Sequence, residues 1–258
     1  MQLTYRTIDL NSDLGESFGA YRLGSDEEIM PYITSANIAC GLHAGDPLVM
    51  ERTVDLALQH GVAIGAHPGF PDLAGFGRRV MQLSADEVET NVLYQLGALY
   101  AFVRARGATL AHVKPHGALY NVAAADGRVA AAIAKAVNRF DSQLIVVCFP
   151  NSAAADAAQE RGLRVAFEGF ADRAYNPDGS LVARHLPGAV IHDHALVVTR
   201  ALRMVREGKV EACDGEDIAM RVDTICVHGD TAGAPRLAAG LRAAFAEAGI
   251  SVSPFGRR

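Results

Sequence analysis

Short runs of apolar, often β-branched residues alternate along this chain with longer stretches in which apolar positions recur every three or four residues. Most of the longer stretches close with a glycine before the next run begins. The spacing predicts seven strands, at "RTIDLN", "ITSANIAC", "VAIGAH", "TLAHVKPH", "QLIVVCF", "LRVAFEGF" and "TICVHGD". Helices fall between them. Asp46 as N-cap and Pro47 at the first helical position open "PLVMERTVDLALQH". Ser84 and Glu87 form a capping box for the longest helix, whose Val88, Val92, Leu96, Leu99 and Val103 make one stripe before Gly107. Further helices are predicted near 124–140, up to Gly162, near 193–207, and from Pro235 to Gly249.

Strands separated by helices imply right-handed crossovers and a parallel sheet. Seven such units predict a closed, TIM-like, seven-stranded parallel (β/α) barrel of the α/β class, with a doubly wound open sheet as the alternative. No linker or low-complexity segment divides the chain, so residues 1–258 read as a single barrel domain.

Most of these strands begin apolar and finish polar. Asp9, Asn11 and Asp13 share one face of the first strand, because side chains two apart point the same way, while Ile8 and Leu10 take the other. The second strand leads to His43 and Asp46, and the third ends at His67. The fourth carries His112, Lys114 and His116 at alternate positions, the sixth offers Glu168 and then Asp172 and Arg173, and the seventh ends in His228 and Asp230. Only the fifth is comparatively plain. In a parallel barrel these C-terminal ends open on one face, where barrel enzymes keep their active sites. A merely solvated surface would scatter polar residues over both ends, so a single pocket is expected.

The residue types narrow the chemistry. Asp13 and Glu16, where the first strand turns into its loop, suit a general base, a metal ligand or an acceptor for an ammonium group, or else cap a turn. Lys114 and His116 suit an oxyanion or phosphate and proton transfer, or else they pair with first-strand acids to satisfy burial. His43 and His67 with Asp13 would give zinc two nitrogens and an oxygen, although hydrogen-bonded, metal-free histidines are the expected state. His192 and His194 diverge around a helix start, where Asp193 is expected to cap. The Gly/Pro-rich "HPGFPDLAGFGRRV" has the length of a lid, with Arg78 or Arg79 as a carboxylate or phosphate clamp. "FADRAYNPDGSLVAR" reads similarly, bringing Asp172 and Arg173 near the pocket.

Composition removes several functions. Half of the residues are apolar, and the net charge is −5 without a basic stripe, which argues against nucleic acid or an anionic membrane and for a small-molecule ligand. The chain contains no GxxxxGK[ST], and no GxGxxG that follows a strand and opens a helix. Four well-separated cysteines without a CxxC pair, and no secretion signal, predict a cytoplasmic protein with reduced thiols. No segment approaches the roughly 20 apolar residues of a membrane helix.

Taken together, "IDLNSDLGE", "SANIACGLHAGD", "GVAIGAHPGFPDLAGFGRR", "HVKPHGALYN", "FADRAYNPDGSLVAR" and "CVHGD" resemble the LamB/YcsF family across nearly the whole chain. The likeness departs near "VCFPNSAA", where a small glycine-rich segment is more usual. What the resemblance implies is a seven-stranded barrel of the glycoside hydrolase and deacetylase type. It also implies the role of the A subunit of bacterial ATP-dependent 5-oxoprolinase, which with subunits B and C opens 5-oxo-L-proline to L-glutamate. ATP would be a co-substrate bound mainly by those partners, in keeping with the missing nucleotide cradle. A divalent metal is admitted as a cofactor without a committed ligand set. On this reading Asp13 or Glu16 activates water, Lys114 and Arg173 hold negative oxygens, and His116 or His67 protonates the departing nitrogen. Asp9, Asn11, His43, Arg78, Glu168, Asp172, Arg173, His228 and Asp230 are the expected substrate contacts. The rivals are a stand-alone metal-dependent deacetylase or amidohydrolase, and a non-catalytic chain that delivers a small acid to its partners.

Overall fold

Alternation in the first strand, β1 (Thr7–Leu14), sets the architecture. Ile8, Leu10 and Leu14 are buried among the surrounding helices, while Asp9, Asn11 and Asp13 point into the ring of strands, where their partners lie. The computed structural model describes residues 7–228 and 233–255, His228 by its backbone alone.

In chain order β1 is followed by α1 (Asp26–Ile29), a 3-10 turn (Met30–Tyr32), β2 (Ser35–Ala39), α2 (Pro47–Gln59), β3 (Ala63–His67) and α3 (Ala85–Ala105). Then come β4 (His112–Val113), α4 (Gly117–Ala125), α5 (Gly127–Phe140), β5 (Ile145–Cys148), α6 (Ala153–Glu160) and β6 (Arg164–Gly169). The remainder is α7 (His194–Glu207), β7 (Lys209–Glu211), β8 (Asp217–Ala219), β9 (Thr224–His228), α8 (Ala234–Glu247) and β10 (Ser251–Val252). β1 to β6 pair in sequence, all parallel, β9 joins β6, and β9 returns to β1, which closes a seven-stranded barrel. The main apolar core fills the layer between this barrel and its helices.

The helix signals act as the residues dictate. Asp46 accepts from the backbone N–H groups of Leu48 and Val49, and Ser84 and Glu87 form their reciprocal box. The Val88 to Val103 stripe of α3 is buried throughout. Asp193 caps α7 by accepting from Ala195 and Leu196, so His192 and His194 flank a helix start.

Four features lie outside the expected outline. The helix expected near 124–140 is two helices, because Asp126 takes an extended conformation, ends α4 and caps α5. β4 is only two residues, since Pro115 has no N–H for the ladder, yet the backbone N–H groups of Lys114 and His116 still bond the β3 side. β7 and β8 form an antiparallel hairpin apart from the barrel. Finally, β10 pairs with the start of β1 and delivers Phe255 into the lower barrel, against Ile145, Val147 and Ala166. The Phe255 ring meets that of His112 edge-on at 5.0 Å. One end of the barrel is thereby plugged.

Candidate active site

The barrel interior is polar in layers. On the floor Asp9 is 1% exposed and accepts from the hydroxyls of Thr34 (2.7 Å), Ser35 (2.6 Å) and Thr224. Burial outweighs these three bonds and raises its carboxyl from 3.8 to about 6. Above it, Asn11 donates to Glu168 (3.0 Å) and Thr224 (2.7 Å), and its carbonyl oxygen accepts from Asn37 (2.7 Å). The Asn37 carbonyl in turn lies 2.7 Å from His112 Nε2, which therefore carries the ring proton. Burial, and then the Lys114 charge, lowers His112 to about 3, so that ring is neutral. His112 can reach Asn37 because β3 has Gly65 between them, where a Cβ would stand 2.0 Å from the imidazole.

Lys114 is the hub of the next layer. Its ammonium donates to Asp13 Oδ1 and Glu168 Oε1, both at 2.8 Å, and approaches Cys226 Sγ (3.2 Å) and Asn11 Oδ1 (3.3 Å). Burial pulls its pKa down, but the Asp13 and Glu168 carboxylates prevail and hold it well above the ordinary lysine value. Asn37 also donates to Asp13 Oδ1 (2.8 Å). With that oxygen held by two donors, the Asp13 carboxylate is oriented.

At the mouth three imidazoles gather. His67 Nδ1 is 2.7 Å from the Lys114 carbonyl and His116 Nε2 is 2.8 Å from the Phe76 carbonyl. A carbonyl only accepts, so each of these nitrogens bears its ring's proton. The opposite nitrogens, His67 Nε2 and His116 Nδ1, then face each other 3.0 Å apart with lone pairs. Asp13 Oδ2 lies 3.4 Å from the first and Glu16 Oε1 3.6 Å from the second. His43 stacks on His116, with centroids 3.9 Å apart and planes within 5°, and neither of its nitrogens meets a hydrogen-bond partner among the described residues. Burial, followed by the neighbouring imidazoles, pushes His43 well below its ordinary value, and His116 falls to about 3 for the same reasons. Gly77, at φ 63°, permits this packing, since a Cβ there would be 2.8 Å from the His116 ring and 2.9 Å from His43 Cβ. One donor atom each from Glu16, His43, His67 and His116 lies within 4.8 Å of the others, so this group could hold a metal ion.

A cavity of about 670 Å³ opens above. Asp13, Glu16, His67, Lys114 and His116 form its base, Arg78 and Arg173 reach its wall, and residues 178–184 and 149–152 complete it. Arg78 also sits 4.9 Å over the Phe76 ring, whereas Arg79 is tied to Asp72 and does not line the cavity. Arg173 gives Nε to the Ala189 carbonyl (3.1 Å) and a terminal nitrogen to that of Val182 (2.7 Å), which fixes its guanidinium plane.

The five residues expected to be catalytic thus meet at one cavity base, with Arg78 and Arg173 beside them. Asp9, Asn11 and Glu168 lie deeper and bond to barrel residues, while His43 stands behind His116, so none of these four lines the cavity. Asp172 is buried and also off the lining. The His228 side chain and Asp230 fall outside the described residues.

Asn37 and Cys226 join the site without having been expected there. Both follow the same period-two signal, Ser35 and Asn37 on one strand and Thr224 and Cys226 on another, but neither residue is charged. The end of the fifth strand, plain in sequence, supplies residues 149–152 to the cavity wall. There Asn151 occupies the left-handed region at φ 55°, the conformation a glycine-rich segment would take and one that asparagine tolerates best among non-glycine residues.

Residues 8–258 match the model of the LamB/YcsF family. The chain belongs to the LamB/YcsF family. One relative within it is the A subunit of 5-oxoprolinase from Thermococcus onnurineus, 57% identical over 249 residues, or 96% of this chain and 98% of that protein. The crystal structure of the lactam utilization protein from Thermus thermophilus superposes with a TM-score of 0.92 at 52% identity, covering 96% of this chain and all of that one. The peptidoglycan deacetylase PdaC of Bacillus subtilis, at 12% identity and TM-score 0.50 over 98% of this chain and 90% of that one, shares the fold. Among the described residues of this LamB/YcsF chain no helix is long and apolar enough to cross a membrane.

Proposed function

We propose that this chain is the A subunit of an ATP-dependent 5-oxoprolinase, in which it opens the lactam ring of 5-oxo-L-proline to L-glutamate together with subunits B and C. The observation that carries the reading is the oriented Asp13 carboxylate at the base of a large cavity, in a chain matched over nearly its full length by proteins named as the A subunit of 5-oxoprolinase.

A lactam resists hydrolysis because its carbonyl is resonance-stabilised and its nitrogen is a poor leaving group. Phosphorylation of the carbonyl oxygen by ATP, bound mainly by the partner subunits, removes that resonance. In this chain Asp13 takes a proton from water as the water oxygen bonds to the ring carbonyl carbon, and Lys114 and Asn37 keep the carboxylate aimed. The C–N bond then breaks, Asp13 returns the proton to the departing nitrogen, and the acyl phosphate that remains is hydrolysed by a second water to L-glutamate and inorganic phosphate. His67 and His116 were the expected donors, but their protons are directed at backbone carbonyls. Arg78 and Arg173 supply positive charge for the substrate carboxylate and the phosphoryl oxygens.

The experiment is glutamate release from 5-oxo-L-proline by the three purified chains. Turnover that needs ATP and all three is expected. Equal turnover when this chain is left out would contradict the proposal, and hydrolysis by this chain alone would instead favour a stand-alone metal-dependent amidohydrolase, which the imidazole cluster would serve.

A further inference from the structure

We propose that Glu16, His43, His67 and His116 form a binding site for a divalent transition-metal ion of the zinc class, a reading independent of the substrate assigned above. Two backbone carbonyls create the need for it. By taking the protons of His67 Nδ1 and His116 Nε2, they leave His67 Nε2 and His116 Nδ1 as acceptors aimed at one another 3.0 Å apart. Two neutral rings in these tautomers have no hydrogen to share, and two carboxylate oxygens, from Asp13 at 3.4 Å and Glu16 at 3.6 Å, add further lone pairs to the same point. Two imidazole lone pairs aimed at one another, with a carboxylate oxygen beside each, suit a shared positive centre.

The spacing and surroundings select what it is. Tetrahedral ligands held at 2.0–2.1 Å from zinc are separated by about 3.3 to 3.4 Å, and the separations of 3.0 Å between His67 and His116 and 3.6 Å between His116 and Glu16 lie on either side of that edge. A lone shared proton would satisfy His67 and His116, yet it would leave His43 unexplained. That ring is 1% exposed, has neither nitrogen hydrogen-bonded among the described residues, and brings a nitrogen within 4.8 Å of the other three donor atoms. Three imidazoles with one carboxylate suit zinc, cobalt or nickel, whereas magnesium and calcium prefer oxygen. Glu16, His67 and His116 line the cavity and His43 lies behind them, so an ion held here would face the cavity on one side, beside Asp13.

The test uses the full chain, stripped with a chelator and dialysed, then titrated with zinc chloride by calorimetry and with cobalt chloride by visible absorption. One ion per chain should bind, with cobalt d–d bands of a nitrogen-rich site and a rise in the melting temperature. His43→Ala and His116→Gln, each checked for native circular dichroism, should weaken binding at least tenfold, whereas the surface variant His60→Ala should bind as wild type. If one variant fails to fold, the other still decides, and zinc protection of wild-type His43 and His116 in NMR spectra provides the same readout without substitution. No saturable uptake by the wild-type chain, uptake that survives both substitutions, or imidazole resonances unmoved by zinc would overturn the proposal.

Discussion

Two buried side chains show how charge is managed inside this barrel. Lys114, only 3% exposed, offsets Asp13 and Glu168 at 2.8 Å each. Removing one member of such a group strands the others, so Lys114→Met should destabilise the protein by about 3 to 5 kcal/mol in urea unfolding. Asp9 has no cation within its hydrogen-bond set, only three hydroxyls, and its carboxyl is raised from 3.8 to about 6. The sign follows from linkage: the folded state holds this proton more tightly than the unfolded one. Its contribution is therefore fully present below pH 3.8 and is lost as pH rises through about 6. Between those limits the wild type should lose about 3 kcal/mol that Asp9→Asn does not lose, measured as the change in their stability difference from pH 3.5 to pH 7. An unchanged difference would show that Asp9 titrates normally. The carboxylate cluster of the first strand was legible in the sequence, yet which acid faces the cavity was not. Asp9 and Asp13 share a face and differ only in depth, and depth depends on the stagger of the closed barrel.

At the scale of elements, period-two alternation and helix caps carried most of the fold. All seven barrel strands stand where the pattern of apolar positions places them, and so do the crossover helices apart from the α4–α5 pair and the short α1 with its 3-10 turn, because each must bury one face against the others. The pattern was silent on β10 and on the β7–β8 hairpin, which span two and three residues per strand, too short to show a period. It was silent too on Gly65, whose role is set by a ring from the neighbouring strand. Gly65→Ala would drive a methyl group into His112, at a cost of about 1 to 3 kcal/mol or more for overpacking. The double variant Gly65→Ala with His112→Ala should recover part of that loss in the same unfolding assay. Strictly additive losses would mean that the close approach does not matter. Ser84→Ala, which breaks the α3 capping box, should cost about 1 kcal/mol and leave the site untouched.

For the molecule as a whole, the topology does the chemistry's positioning. Parallel strands bring their C-terminal ends to one rim, so Asp13 from β1, His67 from β3, and Lys114 and His116 beyond β4 share a cavity although they are far apart in sequence. At the opposite end the C-terminal segment pairs with the start of β1 and Phe255 packs against Ile145, Val147 and Ala166. Motifs in the sequence named the residues around the mouth, while the meeting of bare imidazole nitrogens depended on two backbone carbonyls that no sequence pattern reports. The most direct measurement of the central claim is the rate of ATP-dependent glutamate release by the reconstituted three-chain enzyme with Asp13→Asn in this chain. The variant should fold and assemble with its partners, and its turnover should fall by a factor of about 100 or more. Wild-type turnover in that assembled variant would contradict the assignment of water activation to the first strand's carboxylate.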